Sequence, residues 1–125
     1  MQIKFLLWNC NGISTRVAEV REYLRMFNVQ ILVLTETRVP NNFIFRIQNY
    51  KVVEKRGPVG HGGVAIAVRE DVPFQDLSRH PALDGVEAAA VKLADNSVVV
   101  AYYNSPSRNK LVIKPWQTIT HSSEG

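Results

Sequence analysis

Two short apolar runs, each ending in a polar cluster, constrain the fold of this chain more than any other feature. The run 5–8 ends in Asn-Cys-Asn-Gly, and the run 31–34 ends in Thr-Glu-Thr-Arg. Continuous apolar runs of this length are typical of buried parallel strands, and ligands bind beyond the carboxyl ends of such strands. If the two runs are neighbouring strands, one edge of the sheet brings together Asn9, Asn11 and Glu36.

The segment between the two runs has the pattern of an amphipathic helix. Its apolar residues from 17 to 27 recur at spacings of three, four and three, which predicts one buried helical face. Ser14 or Thr15 is expected to cap the start of this helix, and Asn28 is expected to end it. A strand, helix and strand in this order predict a right-handed crossover between two parallel strands.

The second half of the chain favours antiparallel pairing. Residues 71–84 contain prolines and polar residues and are predicted to be an irregular connection, while 43–47 is ambiguous. A short Ala-Asp-Asn link between the last two predicted strands indicates a hairpin. A parallel beginning followed by hairpins predicts a mixed sheet in an α/β or α+β layout. Strands are predicted at 50–54, 64–68, 87–93 and 97–103.

Length and composition favour one globular domain over residues 1–125. The net charge is +4 and the isoelectric point is near 9.5, which mildly favours a polyanionic partner. On charge alone, a slightly basic surface with no partner is equally acceptable. Cys10 is the only cysteine, so an internal disulfide is excluded and an intracellular location is expected. No apolar run approaches the roughly 18 residues of a membrane span.

Glu36 is the strongest candidate for chemistry. It follows an apolar strand, where a carboxylate must be paired, hydrogen-bonded or bound to a cation. One interpretation is a ligand of Mg²⁺, which takes oxygen donors and often only one or two carboxylates. The other is an ion pair with Arg38 or a helix cap. Asn9 and Asn11 lie on one face of an extended strand and can offer amide oxygens, although Asn-Gly is also a common turn pair.

Tyr103 and the glycine cluster are weaker candidates. Tyr103 ends an apolar strand and can hydrogen-bond a phosphate, but a half-buried tyrosine with a solvated hydroxyl is the more common case, and Tyr102 competes for the role. The Gly-His-Gly-Gly segment at 60–63 precedes a strand and lacks the Lys-Ser/Thr ending of a P-loop. We expect it to form a turn with positive φ and close backbone approach. His61 is expected to be an exposed loop residue.

Taken together, four segments resemble the N-terminal half of an endonuclease/exonuclease/phosphatase domain, and most closely the endonuclease of non-LTR (LINE, jockey-like) retrotransposons. The segments are 7–13, 34–38, 60–69 and 101–107. The resemblance implies the N-terminal part of a four-layered α/β sandwich with a mixed sheet, the DNase I-like fold. It also implies hydrolysis of DNA phosphodiesters with Mg²⁺ or Mn²⁺, to make a nick that primes reverse transcription.

The resemblance also assigns roles to individual residues. Glu36 matches the metal-binding, catalytic glutamate, and Asn11 supports the metal. Asn9 and Tyr103 match catalytic residues that hold the phosphate. Basic residues expected to contact DNA are Arg38 and Arg108. The implied partners are DNA and the remainder of a retrotransposon polyprotein with reverse transcriptase, and the implied location is the nucleus.

The sequence departs from the family pattern in its second half. The Gly-Asp-Phe-Asn and Ser-Asp-His segments, which supply the family's water-orienting Asp and its phosphate-binding His, do not occur. Pro106 also replaces an Asn found in some relatives. We therefore expect a truncated domain, with an unfinished segment at 105–125 and no turnover by this chain alone. The alternatives are a non-catalytic nucleic-acid-binding fragment or relic, and an abasic-site endonuclease or lipid phosphodiesterase of the same fold.

Overall fold

The computed structural model describes residues 3–57, 61–103 and 110–113, in which eight strands form two sheets and one α-helix packs on the first sheet. A 3₁₀ helix lies at Pro81–Leu83. The elements are β1 (Phe5–Asn9), α1 (Val17–Phe27), β2 (Ile31–Thr35), β3 (Tyr50–Lys55), β4 (Val64–Arg69), β5 (Phe74–Asp76), β6 (Ala88–Leu93), β7 (Val98–Tyr102) and β8 (Lys110–Ile113).

The first sheet has the strand order β1-β2-β4-β3 and is mixed. β1 and β2 are parallel, with Leu7 opposite Val33, which confirms the strand–helix–strand unit. β4 runs antiparallel to both β2 and β3. β2 is buried throughout, as predicted, but β1 pairs only with β2 in the described sheet, and Leu7 is 47% exposed. The first apolar run is therefore an edge strand here and not a fully buried one.

The second sheet is antiparallel and has the order β5-β6-β7-β8. The predicted hairpin between β6 and β7 is confirmed, with Ala90 opposite Val100. The two sheets pack face to face around a shared core, to which the first sheet contributes Ile66 and the second contributes Val91 and Val99. Apolar burial between the sheets is the main force that holds them together.

Helix α1 covers the other face of the first sheet. Val20 and Leu24 are buried against β2 and β4, and Asn28 ends the helix in a left-handed conformation as predicted. The predicted cap is wrong. The helix begins after Arg16, with no side-chain capping bond, because the Arg16 amide donates to the Ile13 carbonyl and residues 14–16 form a separate turn. Helix, sheet and sheet form three layers, consistent with part of the predicted sandwich.

Two strands were not predicted. β5 lies inside 71–84, which had been predicted to be an irregular connection, and β8 lies at 110–113. β5 has only three residues and follows Pro73, so it is too short to produce a periodic pattern; it is formed by pairing with β6. No helix in the described part of the chain has the length and hydrophobicity required to cross a bilayer.

Candidate functional site

Three loops meet at one edge of the first sheet and form what we call the site edge, residues 9–13, 36–38 and 61–63. They meet because β1 and β2 end where the antiparallel β4 begins. Backbone hydrogen bonds join them. The amides of Gly12 and Ile13 donate to the carbonyls of Glu36 at 2.8 Å and Thr37 at 2.9 Å. The strand pairing of β1 and β2 therefore continues into their loops.

Glu36 lies at the centre of the site edge. Glu36 is only 7% exposed, and its Oε1 accepts a hydrogen bond from Arg38 Nη2 at 2.9 Å. Both residues have left-handed backbones, with φ of 55° and 47°. Such conformations cost non-glycine residues about 1–2 kcal/mol each and persist only where surrounding contacts hold them. The ion pair with Arg38, one of the two interpretations of Glu36 from the sequence, is therefore present, and it lies within a strained segment.

Asn9 and Asn11 lie at the same edge but not on one strand face. Asn9 is the last residue of β1, opposite Thr35, and is exposed. Asn11 is also exposed and has a φ of 50°, outside the strand, where Asn-Gly turn chemistry applies. The structure brings Asn9, Asn11 and Glu36 to one edge as expected, while the shared extended strand predicted for the two asparagines is wrong.

The glycine cluster forms the third loop with the positive φ that was predicted. Gly62 and Gly63 have φ of 59° and 91° and are buried, while His61 is exposed as expected. A Cβ on Gly63 would collide with Oγ1 of Thr37. That buried hydroxyl has no hydrogen-bond partner within the described residues. The Gly63 backbone therefore approaches the Thr37 side chain of the neighbouring loop so closely that only glycine fits at position 63.

Tyr103 reaches the site edge from the second sheet. It follows β7, is half-buried and packs against the core between the sheets. A Cβ on Gly62 would lie 3.1 Å from Cε2 of Tyr103, so the tyrosine ring borders residues 61–63, which we call the glycine loop. Tyr102 lies one position earlier, opposite Ala88, and projects to the other face of the sheet. Arg108 and Pro106 lie outside the described residues.

Two charged residues beside the site edge were missed from the sequence. The carboxylate of Glu87, just before β6, accepts a hydrogen bond from the Gly63 amide. The guanidinium of Arg16 lies over the Trp8 ring, 5.9 Å from its centroid. Glu87 carried one available signal, because it is an acidic residue directly before three alanines of a buried strand. Arg16 directly precedes α1 and carried no comparable signal in the sequence.

Cys10 lies buried between the two exposed asparagines. Its thiol donates to the carbonyls of Thr35 and Glu36, at 3.5 and 3.6 Å. Burial away from water raises the pKa of Cys10 from 9.0 to about 11, and the hydrogen bond from the Gly12 backbone only partly offsets this rise. Burial disfavours the thiolate, so the folded chain holds the neutral thiol over a wider pH range than the unfolded chain does.

We expect Cys10 to react slowly with iodoacetamide in the folded chain. Only the thiolate reacts, so at about pH 8 the raised pKa alone slows alkylation about 100-fold relative to the denatured chain. The rate should rise with pH up to about 11 in the folded chain, whereas the denatured chain levels off near 9. Mass spectrometry of timed reactions with and without denaturant measures both profiles. Equal profiles would contradict the burial of the thiol.

Comparison with known proteins identifies the family. The sequence profile described as the endonuclease/exonuclease/phosphatase family matches residues 6–120. The chain belongs to this family. One curated relative, named "Probable RNA-directed DNA polymerase from transposon X-element" of Drosophila melanogaster, is 28% identical in an alignment of 97 positions that covers 75% of this chain and 10% of that protein. The resemblance inferred from the sequence is therefore confirmed at the level of the family.

Solved structures of other proteins share the fold of this endonuclease/exonuclease/phosphatase family member. A 3′ phosphatase, NExo from Neisseria, bound to a product DNA hairpin, has a TM-score of 0.59 at 24% identity and aligns over 82% of this chain and 44% of its own. An AP endonuclease from Archaeoglobus fulgidus has a TM-score of 0.57 at 29% identity, over 79% and 40%. The chain spans less than half of these proteins and a tenth of the transposon protein.

Proposed function

We propose that this chain is a partial domain, residues 1–125, of a Mg²⁺-dependent DNA endonuclease that nicks target DNA for a non-LTR retrotransposon. The observation that carries the proposal is the buried Glu36 carboxylate at the meeting point of three loops, with Asn9 and Asn11 exposed beside it. The family match and the transposon relative support this choice of reaction and context.

The donors at the site edge suit Mg²⁺. They comprise the carboxylate of Glu36 and the amide oxygen of Asn11. Among the described residues, no three or more His, Cys, Asp or Glu side chains are grouped closely enough to hold a metal ion. Mg²⁺ is commonly bound through one or two carboxylates and retains several waters, so a site with one carboxylate is chemically sufficient. Arg38 holds one oxygen of Glu36, and we expect metal binding to weaken that ion pair. Mn²⁺ takes the same oxygen donors.

Each side chain has a role that follows from its charge and position. Glu36 would hold the metal with Asn11, and Asn9 would orient a phosphate oxygen by donating from its amide nitrogen. Tyr103, at the border of the glycine loop, can donate its hydroxyl to the same phosphate. Arg38 has a side chain 43% exposed and would neutralise part of the phosphate charge. A bound divalent ion would supply Lewis-acid stabilisation of the charge that develops on the phosphate and leaving oxygen.

We propose that binding and turnover are separable in this protein. The Gly-Asp-Phe-Asn and Ser-Asp-His segments that the resemblance implies do not occur in residues 1–125. We therefore expect this chain to bind metal and DNA without cutting, and a protein that contains those segments to nick. In that setting the partners are DNA, contacted also by Arg108, and a polyprotein with reverse transcriptase, and the location is the nucleus.

A paramagnetic titration tests the metal site without relying on activity. We expect Mn²⁺ to broaden the amide NMR signals of Asn11, Glu36 and Arg38 before those of the opposite edge. Glu36→Gln should weaken binding by more than about 10-fold, since even loss of an outer-shell partner has an effect of that size. Asp71→Asn is a matched control, because Asp71 pairs with Arg69, also two residues away, at the opposite end of β4.

Several outcomes would contradict the proposed function. Uniform broadening, or equal affinities for wild type and Glu36→Gln, would exclude Glu36 as the metal ligand. Nicking of supercoiled plasmid with Mg²⁺ is the second measurement. Cutting by the wild-type chain that Glu36→Gln abolishes would contradict the expected separation of binding from turnover. DNA binding that depends on salt but is indifferent to Mg²⁺ and to Glu36 would instead favour a non-catalytic nucleic-acid-binding fragment.

A second candidate keeps the fold and changes the substrate. The structural match to an AP endonuclease at 29% identity favours recognition of an abasic site. The two candidates differ in a competition experiment with duplexes that differ only at one abasic position. The retrotransposon proposal predicts equal binding to both duplexes, whereas the abasic-site candidate predicts tighter binding to the abasic duplex in the presence of Mg²⁺.

A further inference from the structure

The glycine loop of the site edge encloses a carboxylate that belongs to the second sheet. Oε2 of Glu87 accepts a hydrogen bond from the Gly63 amide. A Cβ on Gly57 would lie 2.8 Å from this Oε2 and 3.0 Å from Oε1, and a Cβ on Gly62 would also collide with Oε2. The carboxylate of Glu87 therefore occupies a space that exists because these positions are glycine.

The same glycine loop holds the segment that carries Glu36. The carbonyls of Gly62 and Gly63 accept hydrogen bonds from the amides of Arg38 at 2.8 Å and Thr37 at 3.1 Å. Glu36 and Arg38 have left-handed backbones, which non-glycine residues adopt only under restraint. These two hydrogen bonds restrain the segment from the side of β4.

Glu87 is joined to the other half of the candidate site as well. Its carbonyl accepts a hydrogen bond from the Tyr103 amide at 3.0 Å, and the Tyr103 ring borders Gly62. One residue thus contacts the glycine loop through its side chain and Tyr103 through its backbone. The connection runs from the second sheet through Gly62 and Gly63 to Thr37 and Arg38, the residues that follow Glu36.

We propose that Glu87 is a positioning residue that fixes the Glu36–Arg38 segment relative to Tyr103. It acts through the glycine loop and not by contact with metal or phosphate. A hydrogen bond to a carboxylate is stronger than one between neutral groups, so the anchor at Gly63 is stiffer than a backbone carbonyl would provide. The catalytic meaning of this coupling rests on the proposed function, whereas the coupling itself can be measured independently.

Amide hydrogen exchange measured by NMR on the 125-residue chain tests the coupling. In Glu87→Ala we expect exchange at Gly63 to accelerate about 10- to 100-fold, the range for loss of a hydrogen bond to a charged group. Thr37 and Arg38 should accelerate about 3- to 10-fold, because the carbonyls that they use lose their anchor. Core amides such as those of Val33 and Ile66 should keep their wild-type rates.

Two further variants make the result decisive. Glu87→Gln keeps an acceptor oxygen without the charge, so Gly63, Thr37 and Arg38 should exchange at rates between those of wild type and Glu87→Ala. If Glu87→Ala does not fold, the comparison of Glu87→Gln with wild type is the test, and equal rates overturn the proposal. Glu70→Ala, an exposed glutamate beyond the opposite end of β4, is the control and should change none of these amides.

The opposing results are equally defined. Acceleration confined to Gly63 would show that Glu87 does not position the Glu36 segment, and equal acceleration of all amides would reveal a purely global loss of stability. Both results overturn the proposal. An absence of selective Mn²⁺ broadening in the wild-type chain would contradict the proposed function while leaving the exchange pattern unaffected, so the two failures are distinguishable.

Discussion

Gly63→Ala is expected to destabilise the fold by about 2–5 kcal/mol. Gly63 has a φ of 91°, where an L-residue is strained by about 1–2 kcal/mol. Its new Cβ would also collide with the buried Oγ1 of Thr37, and overpacking of this kind costs about 1–3 kcal/mol. The measurement is urea unfolding followed by circular dichroism, with wild type and variant compared at equal m-values.

Two comparisons separate backbone strain from collision. Gly85 has a φ of 74°, and no described residue other than its two chain neighbours has an atom within 4 Å of a Cβ built on it, so Gly85→Ala should cost only about 1–2 kcal/mol. Adding Thr37→Ala to Gly63→Ala removes the colliding hydroxyl and should recover part of the loss, as a favourable coupling in a double-mutant cycle. Equal losses of stability in Gly63→Ala and Gly85→Ala would mean that the Gly63 backbone and the Thr37 side chain are not in contact as described.

The parts of the fold that could be predicted are those with a local periodic pattern. β2 and β4 are continuous apolar runs, and α1 has apolar residues at helical spacing. The end of the helix at Asn28 follows from the local preference of Asn for the left-handed conformation. β5 could not be predicted, because three residues carry too little pattern and its strand structure depends on pairing with β6. The helix start was misplaced because a turn at 14–16 competed with side-chain capping.

The candidate site divides in the same way. Asn9, Asn11 and Glu36 could be predicted to converge, since residues that follow parallel strands share an edge. The left-handed backbone of Glu36 could not be predicted. It depends on the hydrogen bond that the Gly12 amide donates to the Glu36 carbonyl, and on the hydrogen bonds between the following residues and the glycine loop. Glu87 and Gly63 are 24 positions apart in the chain. Their contact exists only once the two sheets have packed.

The contact between Glu87 and Gly63 exists only while the two sheets are packed together, so the stability of the site depends on the core between the sheets. Ile66 lies in β4, between Val33 of β2 and Val53 of β3, and is 0% exposed. It belongs to the cluster that joins the first sheet to β6 and β7. Truncation of this side chain leaves a cavity that close-packed strands can fill only partly.

We expect Ile66→Ala to destabilise the chain by about 2–5 kcal/mol, which is a large fraction of the stability of a small domain. Ile44→Ala is the matched control, because Ile44 is 69% exposed and its truncation should change stability by less than about 0.5 kcal/mol. Chemical unfolding measures both. At denaturant concentrations where Ile66→Ala remains folded, its Mn²⁺ broadening should resemble that of wild type, since Glu36 and its loop contacts are unchanged. Equal unfolding midpoints for the two variants would mean that packing between the sheets does not stabilise the site edge.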